Sequence, residues 1–351
     1  MTDPSAGETD PMAEHPKTST RIVLASRPDG EPTPDNFRTE VADLPEVADG
    51  QVLLRTVYLS LDPYMRGRMS TAKSYAAHLE LGDVMIGGTV GEVLVSRHPD
   101  LTEGDHVLAG AGWQSYAVVD GAHVRRLDPS AAPVSTALGV LGMPGFTAYS
   151  GLLKIGRPQP GETVVVAAAT GPVGSAVGQI ARLKGARAVG IAGGPEKCRA
   201  LLEEFGFDAA IDHRDPDFAS RLADAVPDGI DVYFENVGGH VAEAVMPLLN
   251  LYARIPVCGL VAQYNGVDLE RKDRLPGFFS LVLSKSLTVR GFIQNEFVPE
   301  MYDDFLAEAS AWVREGKLRY REDVVDGLEN AREAFIGMLQ GRNFGKLLVR
   351  L

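Results

Sequence analysis

The sequence predicts an α/β protein in which a doubly wound parallel sheet is joined to a second, β-rich domain, on three observations. An apolar run, Thr163–Ala168, stops at Thr170-Gly171-Pro172-Val173-Gly174 and leads through small residues into a helical segment ending near Lys184-Gly185. Strand-like runs recur at Ala186–Ala192, Ala209–Asp212, Ile230–Glu235, Ala253–Cys258 and Ser286–Ile293, with helical patterns between the earlier ones. Such alternation builds a parallel sheet covered by helices. Ahead of this unit the chain reads instead as short extended runs broken by Gly and Pro.

Taken in order, residues 1–18 are rich in Pro, Thr, Asp and Glu, lack the apolar core of a signal peptide, and are expected to be disordered. Within 19–139, Gln51–Leu59, Ile86–Val95, His106–Leu108 and Gln114–Val119 read as strands, punctuated by Gly87-Gly88, Pro99 and Gly104-Asp105. That spacing suits a small barrel-like domain. The α/β unit occupies 140–310. Helices follow around Glu300–Glu315 and Asn330–Leu339, and Gly345–Leu351 reads as a closing strand. A closing strand needs a partner, and the nearest sheet is the N-terminal one. Residues 311–351 are therefore expected to complete the β-rich domain, which the α/β unit interrupts.

Composition narrows the function. The 351 residues carry 34 basic and 47 acidic side chains, a net charge of −13, which disfavours nucleic acid or an anionic membrane as partner. No apolar run approaches the ~20 residues of a membrane span, so a cytoplasmic location is expected. The two cysteines, Cys198 and Cys258, are too few for a disulfide framework or a four-cysteine zinc lobe and read as small apolar fillers. The seven histidines show no paired metal-ligand spacing. No metal is expected, which leaves the chemistry to an organic cofactor.

The glycine turn points to a dinucleotide. Gly171 and Gly174 let the backbone approach a pyrophosphate, and the helix N-terminus beyond offers unpaired N–H groups to that anion. Pro172 and Val173 complete the turn, and Ala169 stands where the first glycine of G-x-G-x-x-G would be. The second strand ends Ile191-Ala192-Gly193-Gly194 without the acid that an NAD enzyme places against the ribose 2′-hydroxyl. Lys197 falls in the first turn of the next helix, where the dipole disfavours a cation unless a 2′-phosphate sits there. NADPH is therefore the expected cofactor, a solvated surface lysine being the alternative. Asn236 lies at the carboxyl end of the fourth strand, either forming the turn or holding the nicotinamide ribose. Cys258, Gly259, Leu260, Val261, Ala262, Gln263 and Tyr264 follow the fifth strand, and Phe292, Ile293 and Gln294 the sixth, so both segments should line the cofactor cleft.

Six separated motifs carry a family resemblance: Leu61-Asp62-Pro63-Tyr64-Met65-Arg66, Gly142-Met143-Pro144-Gly145-Phe146-Thr147-Ala148-Tyr149, Ala168–Gly174, Phe234-Glu235-Asn236-Val237-Gly238-Gly239, Cys258–Asn265 and Gly341-Arg342-Asn343-Phe344-Gly345-Lys346. From about residue 20 to 351 the chain resembles the zinc-independent medium-chain dehydrogenases/reductases, in the prostaglandin reductase (leukotriene B4 12-hydroxydehydrogenase) branch. The resemblance implies a Rossmann sheet with a GroES-like barrel, NADPH, a homodimer, Asn343 reaching the cofactor across the cleft, and the Tyr264 hydroxyl near the nicotinamide. Where related enzymes place a tyrosine at the 2′-phosphate, this chain has His213; His213 or Arg214 contacts the phosphate, or neither does.

Conjugate reduction of an enone suits such a site, because charge develops as an enolate that one or two hydrogen-bond donors can hold. Tyr264 is the first candidate donor and Tyr64 the second, each being alternatively a packing residue. The expected activity is NADPH-dependent reduction of the C=C bond of α,β-unsaturated ketones or aldehydes, with medium-length or aromatic unsaturated ketones as substrates. The alternatives are an NADPH quinone reductase and a non-catalytic NADPH-binding protein. The segments around Arg66–Leu79 and Arg271–Phe279 read as pocket-lining loops.

Overall fold

The computed structural model describes residues 15–72, 74–266 and 274–351. Its centre is a six-stranded parallel sheet in the spatial order Ala209–Asp212, Arg187–Ala192, Thr163–Ala167, Ile230–Phe234, Leu249–Val257, Thr288–Gly291. Chain order reverses between Thr163–Ala167 and Ile230–Phe234, so the crevice beyond their carboxyl ends is the place such sheets bind ligands. The central strand is buried on both faces. Val164 and Val166 pack with Phe146, Ile180, Phe234 and Phe305 on one side, while Val165 and Ala167 pack with Leu222, Tyr233, Val241 and Ile255 on the other. A continuous apolar run is what two covered faces require.

The second sheet has seven strands. Glu322–Asp326, Lys346–Arg350, Gln51–Ser60, Thr89–Ser96, His106–Ala109 and Arg125–Leu127 follow one another, and Tyr116–Asp120 also pairs with Gln51–Ser60. The closing strand sits antiparallel to Gln51–Ser60, with Leu348 opposite Ser60 and Arg350 opposite Tyr58.

Several elements differ from the sequence reading. The strand expected from Ile86 begins at Thr89. The fifth parallel strand starts at Leu249, ahead of Ala253, and holds an irregular register beside Ile230–Val232. Thr18, counted with the tail, opens the strand Thr18–Leu24, which pairs with Phe37–Asp43; residues 1–14 lie outside the described residues. The pocket segments are partly helical. Tyr64–Arg68 forms a short helix and Leu275–Ser284 a longer one with proline in its first turn, while residues 271–273 lie outside the described residues. Glu322–Asp326 gave no strand signal because alternation is weak where charged residues stand at a sheet edge.

Candidate active site

An open cleft of about 1520 Å³ runs between the two sheets, past the carboxyl ends of the parallel strands. At its base, the first strand ends in the turn Ala168–Gly174 and the helix Pro172–Leu183 begins. Ala168 takes the left-handed conformation, φ +51°, so the strained residue of the turn is Ala168, while Ala169 is fully buried. A Cβ on Gly174 would lie 2.4 Å from the Ala168 carbonyl oxygen and 2.7 Å from Ala169 Cα. Only glycine allows this turn to close on itself. Thr170, Gly171, Pro172, Val173 and Gly174 all line the cleft, which is the cradle a pyrophosphate needs.

The end of the second strand is basic. Lys197, His213 and Arg214 line the cleft around Gly193. A Cβ on Gly193 would come within 2.9 Å of His213 Nε2 and 3.0 Å of Arg214 Nε, so the space an acidic side chain would need is filled by an imidazole and a guanidinium. Asp212 does not oppose an anion here. Its Oδ1 accepts the backbone N–H groups of Gly194 and Arg214, each at 2.9 Å, and thereby ties the two strand ends together. Burial alone would raise its pKa, yet those two donors, with His213 and Arg214 nearby, hold it below the ordinary value. Burial and the Arg214 charge lower the pKa of Lys197, whose Nζ donates to the Gly341 carbonyl at 2.9 Å across the cleft.

Along the rest of the sheet edge, Asn236 lines the cleft and donates its amide to the Ala167 carbonyl at 2.8 Å. The preceding Glu235, 3% exposed, stands in one of the family motifs but was given no role from the sequence. Its carboxylate accepts the N–H groups of Val237 at 2.6 Å and Gly238 at 2.9 Å, which shapes the Asn236 turn. Burial raises its pKa. Cys258, Gly259, Val261, Tyr264, Phe292, Ile293 and Gln294 line the cleft, whereas Leu260, Ala262 and Gln263 do not. Leu260 and Gln263 come within 3.4 Å of where a Cβ on Gly238 would sit, and Ala262 within 3.7 Å of that on Gly239, so these three cover the neighbouring turn instead.

The Tyr264 hydroxyl stands over Gly259, 3.1 Å from where a Cβ would be. Burial is the main cause of its raised pKa, which keeps the phenol protonated. From the β-rich side come Tyr64 and Asn343, the latter donating its amide to the Gly345 carbonyl at 2.8 Å, while Met143 and Thr147 enter from the helix Met143–Ser150 of the α/β unit. Burial, followed by Asp62 and Tyr75, keeps the Tyr64 phenol protonated as well. Tyr75 influences both Tyr64 and Tyr264 electrostatically, and its ring lies 4.4 Å from the Arg68 guanidinium. Neither Tyr75 nor Arg68 gave a sequence signal beyond its place in a pocket segment.

A phosphate-binding turn, a cationic pocket where an adenosine ribose would lie, and phenols facing the same cleft define a dinucleotide-dependent oxidoreductase. Residues 20–127 match the family described as the N-terminal domain of oxidoreductase, and residues 172–311 the family described as zinc-binding dehydrogenase. The chain is 54% identical over 341 residues to the NADPH-dependent curcumin reductase of Escherichia coli, covering 97% of this chain and 99% of that one. It is 40% identical over 325 residues to prostaglandin reductase 1 of Sus scrofa, covering 92% and 95%. The crystal structure of CurA in complex with NADPH from Vibrio vulnificus superposes with a TM-score of 0.92 at 54% identity, covering 94% of this chain and 98% of that one. The chain belongs to the medium-chain dehydrogenases/reductases, in the zinc-independent prostaglandin reductase branch.

Proposed function

We propose that this enzyme reduces the C=C bond of α,β-unsaturated ketones and aldehydes by conjugate hydride transfer from NADPH. It is an NADP-dependent oxidoreductase, as its relatives' names and the NADPH-bound neighbour support. One observation carries the finer reading: Tyr64 and Tyr264 line the same cleft as the Ala168–Gly174 turn. When bound, NADPH would supply a hydride to the β-carbon, the C=C electrons passing to the carbonyl oxygen and a proton from water completing the α-carbon. Ala168–Gly174 holds the pyrophosphate, Lys197 with His213 the 2′-phosphate, and Asn236 and Asn343 flank the cofactor. Tyr264, kept protonated by burial, donates its O–H to the oxygen that becomes the enolate, with Tyr64 in support.

Tyr264→Phe keeps the ring and deletes the donor. It is expected to lower kcat for enone reduction by about 10–100-fold, with a smaller change in KM and nearly unchanged NADPH affinity. An unchanged kcat would leave Tyr264 as a loop anchor only. A screen of enones, quinones and alcohols followed by NADPH absorbance identifies the substrate class, and a preference for quinones would replace the enone reading.

Metal has no part in this chemistry. Burial raises the Cys198 thiol to about 11 and the Cys258 thiol to about 12, in keeping with two small apolar side chains. Purified enzyme is expected to hold no stoichiometric zinc and to keep its activity in EDTA; loss on chelation, restored by zinc, would overturn this.

The working unit is a homodimer. Thr288–Gly291 is the last strand of the parallel sheet, and all four of its residues are exposed. Beside it, Leu275, Phe279 and Leu283 of the helix Leu275–Ser284 are exposed, at 56%, 59% and 83%. An open edge next to an apolar helix suits pairing with a second copy about a two-fold axis. No helix among the described residues is long and apolar enough to cross a membrane. Light scattering is expected to give twice the 37.6 kDa chain mass, and a monomer mass would refute the dimer.

A further inference from the structure

We propose that binding of NADPH takes up a proton at His213, so that Lys197 and Arg214 supply fixed charge to the 2′-phosphate and His213 a charge acquired on binding. The proposal rests on the reading of NADPH as cofactor. Its basis is geometric. The imidazole and the Arg214 guanidinium fill the space above Gly193, at the strand end where the adenosine ribose lies, and both line the cleft with Lys197.

The surroundings of His213 keep it neutral until an anion arrives. From the helix Gly239–Val245, the His240 ring faces it at 5.4 Å between centroids, and Phe218 packs edge-on with His240 at 6.1 Å. From its own segment come Arg214 and Asp212, and Asp212 is occupied by two backbone N–H groups. From the helix Pro195–Glu203 comes Lys197. Asp215 and Arg221 pair with each other nearby. The strand end itself contributes only Gly193 and Gly194. Burial, then His240 and Arg214, lower the imidazole pKa, against a smaller opposing pull from Asp212.

A phosphate carrying close to two negative charges reverses that balance by favouring the imidazolium. The His213 pKa is thus low in the free enzyme and raised in the complex. Between those two values NADPH affinity falls by up to tenfold per unit as pH rises, and outside them it is level. NADH, which lacks the phosphate, produces no such linkage.

Calorimetry of NADPH binding at pH 7.0 in buffers of different ionisation enthalpy counts the protons directly. The wild type is expected to take up a fraction of a proton per NADPH and none with NADH. His213→Gln should abolish the uptake, and His240→Gln should retain it. If His213→Gln fails to fold, His213→Tyr tests the same point. Proton release or no exchange in the wild type, or uptake that survives loss of His213, overturns the proposal. Preference for NADPH without any uptake would remove the role of His213 and leave the cofactor assignment standing, whereas equal affinity for NADPH and NADH would remove both.

Discussion

Lys346→Met is expected to destabilise the folded protein by about 3–5 kcal/mol, the range for breaking a buried ion pair from one side. Lys346 is 2% exposed and Asp62 5% exposed. The lysine Nζ donates to Asp62 Oδ1 at 2.8 Å and to the Leu61 carbonyl at 2.7 Å, while the Ser60 hydroxyl donates to Asp62 Oδ2. Methionine fills the volume but leaves the Asp62 carboxylate dry, with Ser60 as its remaining donor among these contacts. The double variant Lys346→Met/Asp62→Leu removes both charges and should recover most of the loss, because the penalty comes from the orphaned charge more than from the missing attraction. Urea unfolding of the wild type, the single variant and the double variant measures the cycle. A single-variant loss under about 1 kcal/mol would show that solvent reaches Asp62. The pair also has a place in the site, since Asp62 opens the turn that carries Tyr64 into the cleft and Lys346 follows the Asn343–Gly345 turn.

Lys197→Ala is expected to weaken NADPH by about 10- to 150-fold, the loss of roughly 1.5–3 kcal/mol for one charge-assisted contact, and to leave NADH nearly unchanged. In this structure the ammonium is partly dehydrated, crowded by the Arg214 charge, and satisfied by the Gly341 carbonyl. A phosphate at the Gly193 end would relieve that crowding. Fluorescence titration of both cofactors gives the two dissociation constants. Equal weakening of both would mean that Lys197 acts through its bond to Gly341, as a tie between the two sides of the cleft.

The amino-acid sequence by itself determined the parallel sheet and its order of strands and helices. Val164, Val165 and Val166 announce a strand covered on both faces, and the glycines after them announce a turn too tight for side chains. These are local patterns, and local backbone geometry reads them. The position of Lys197 and the missing acid after Ala192 were legible for the same reason, because both lie within a few residues of a strand end whose direction is known.

Tertiary structure alone decided the rest. Sequence reading left His213 and Arg214 as alternatives, and the fold brings both over Gly193 because Asp212 fixes the two strand ends to each other. It turned Leu260, Ala262 and Gln263 away from the cleft, since a loop after a strand can present either side and packing against Gly238 and Gly239 chose one. It placed Tyr75 near Tyr64 and Tyr264, and Lys346 on Asp62, across 284 residues of chain. Burial of a charge is worthwhile only where its partner arrives with it, and that meeting depends on which strands pair. No spacing along the chain records it.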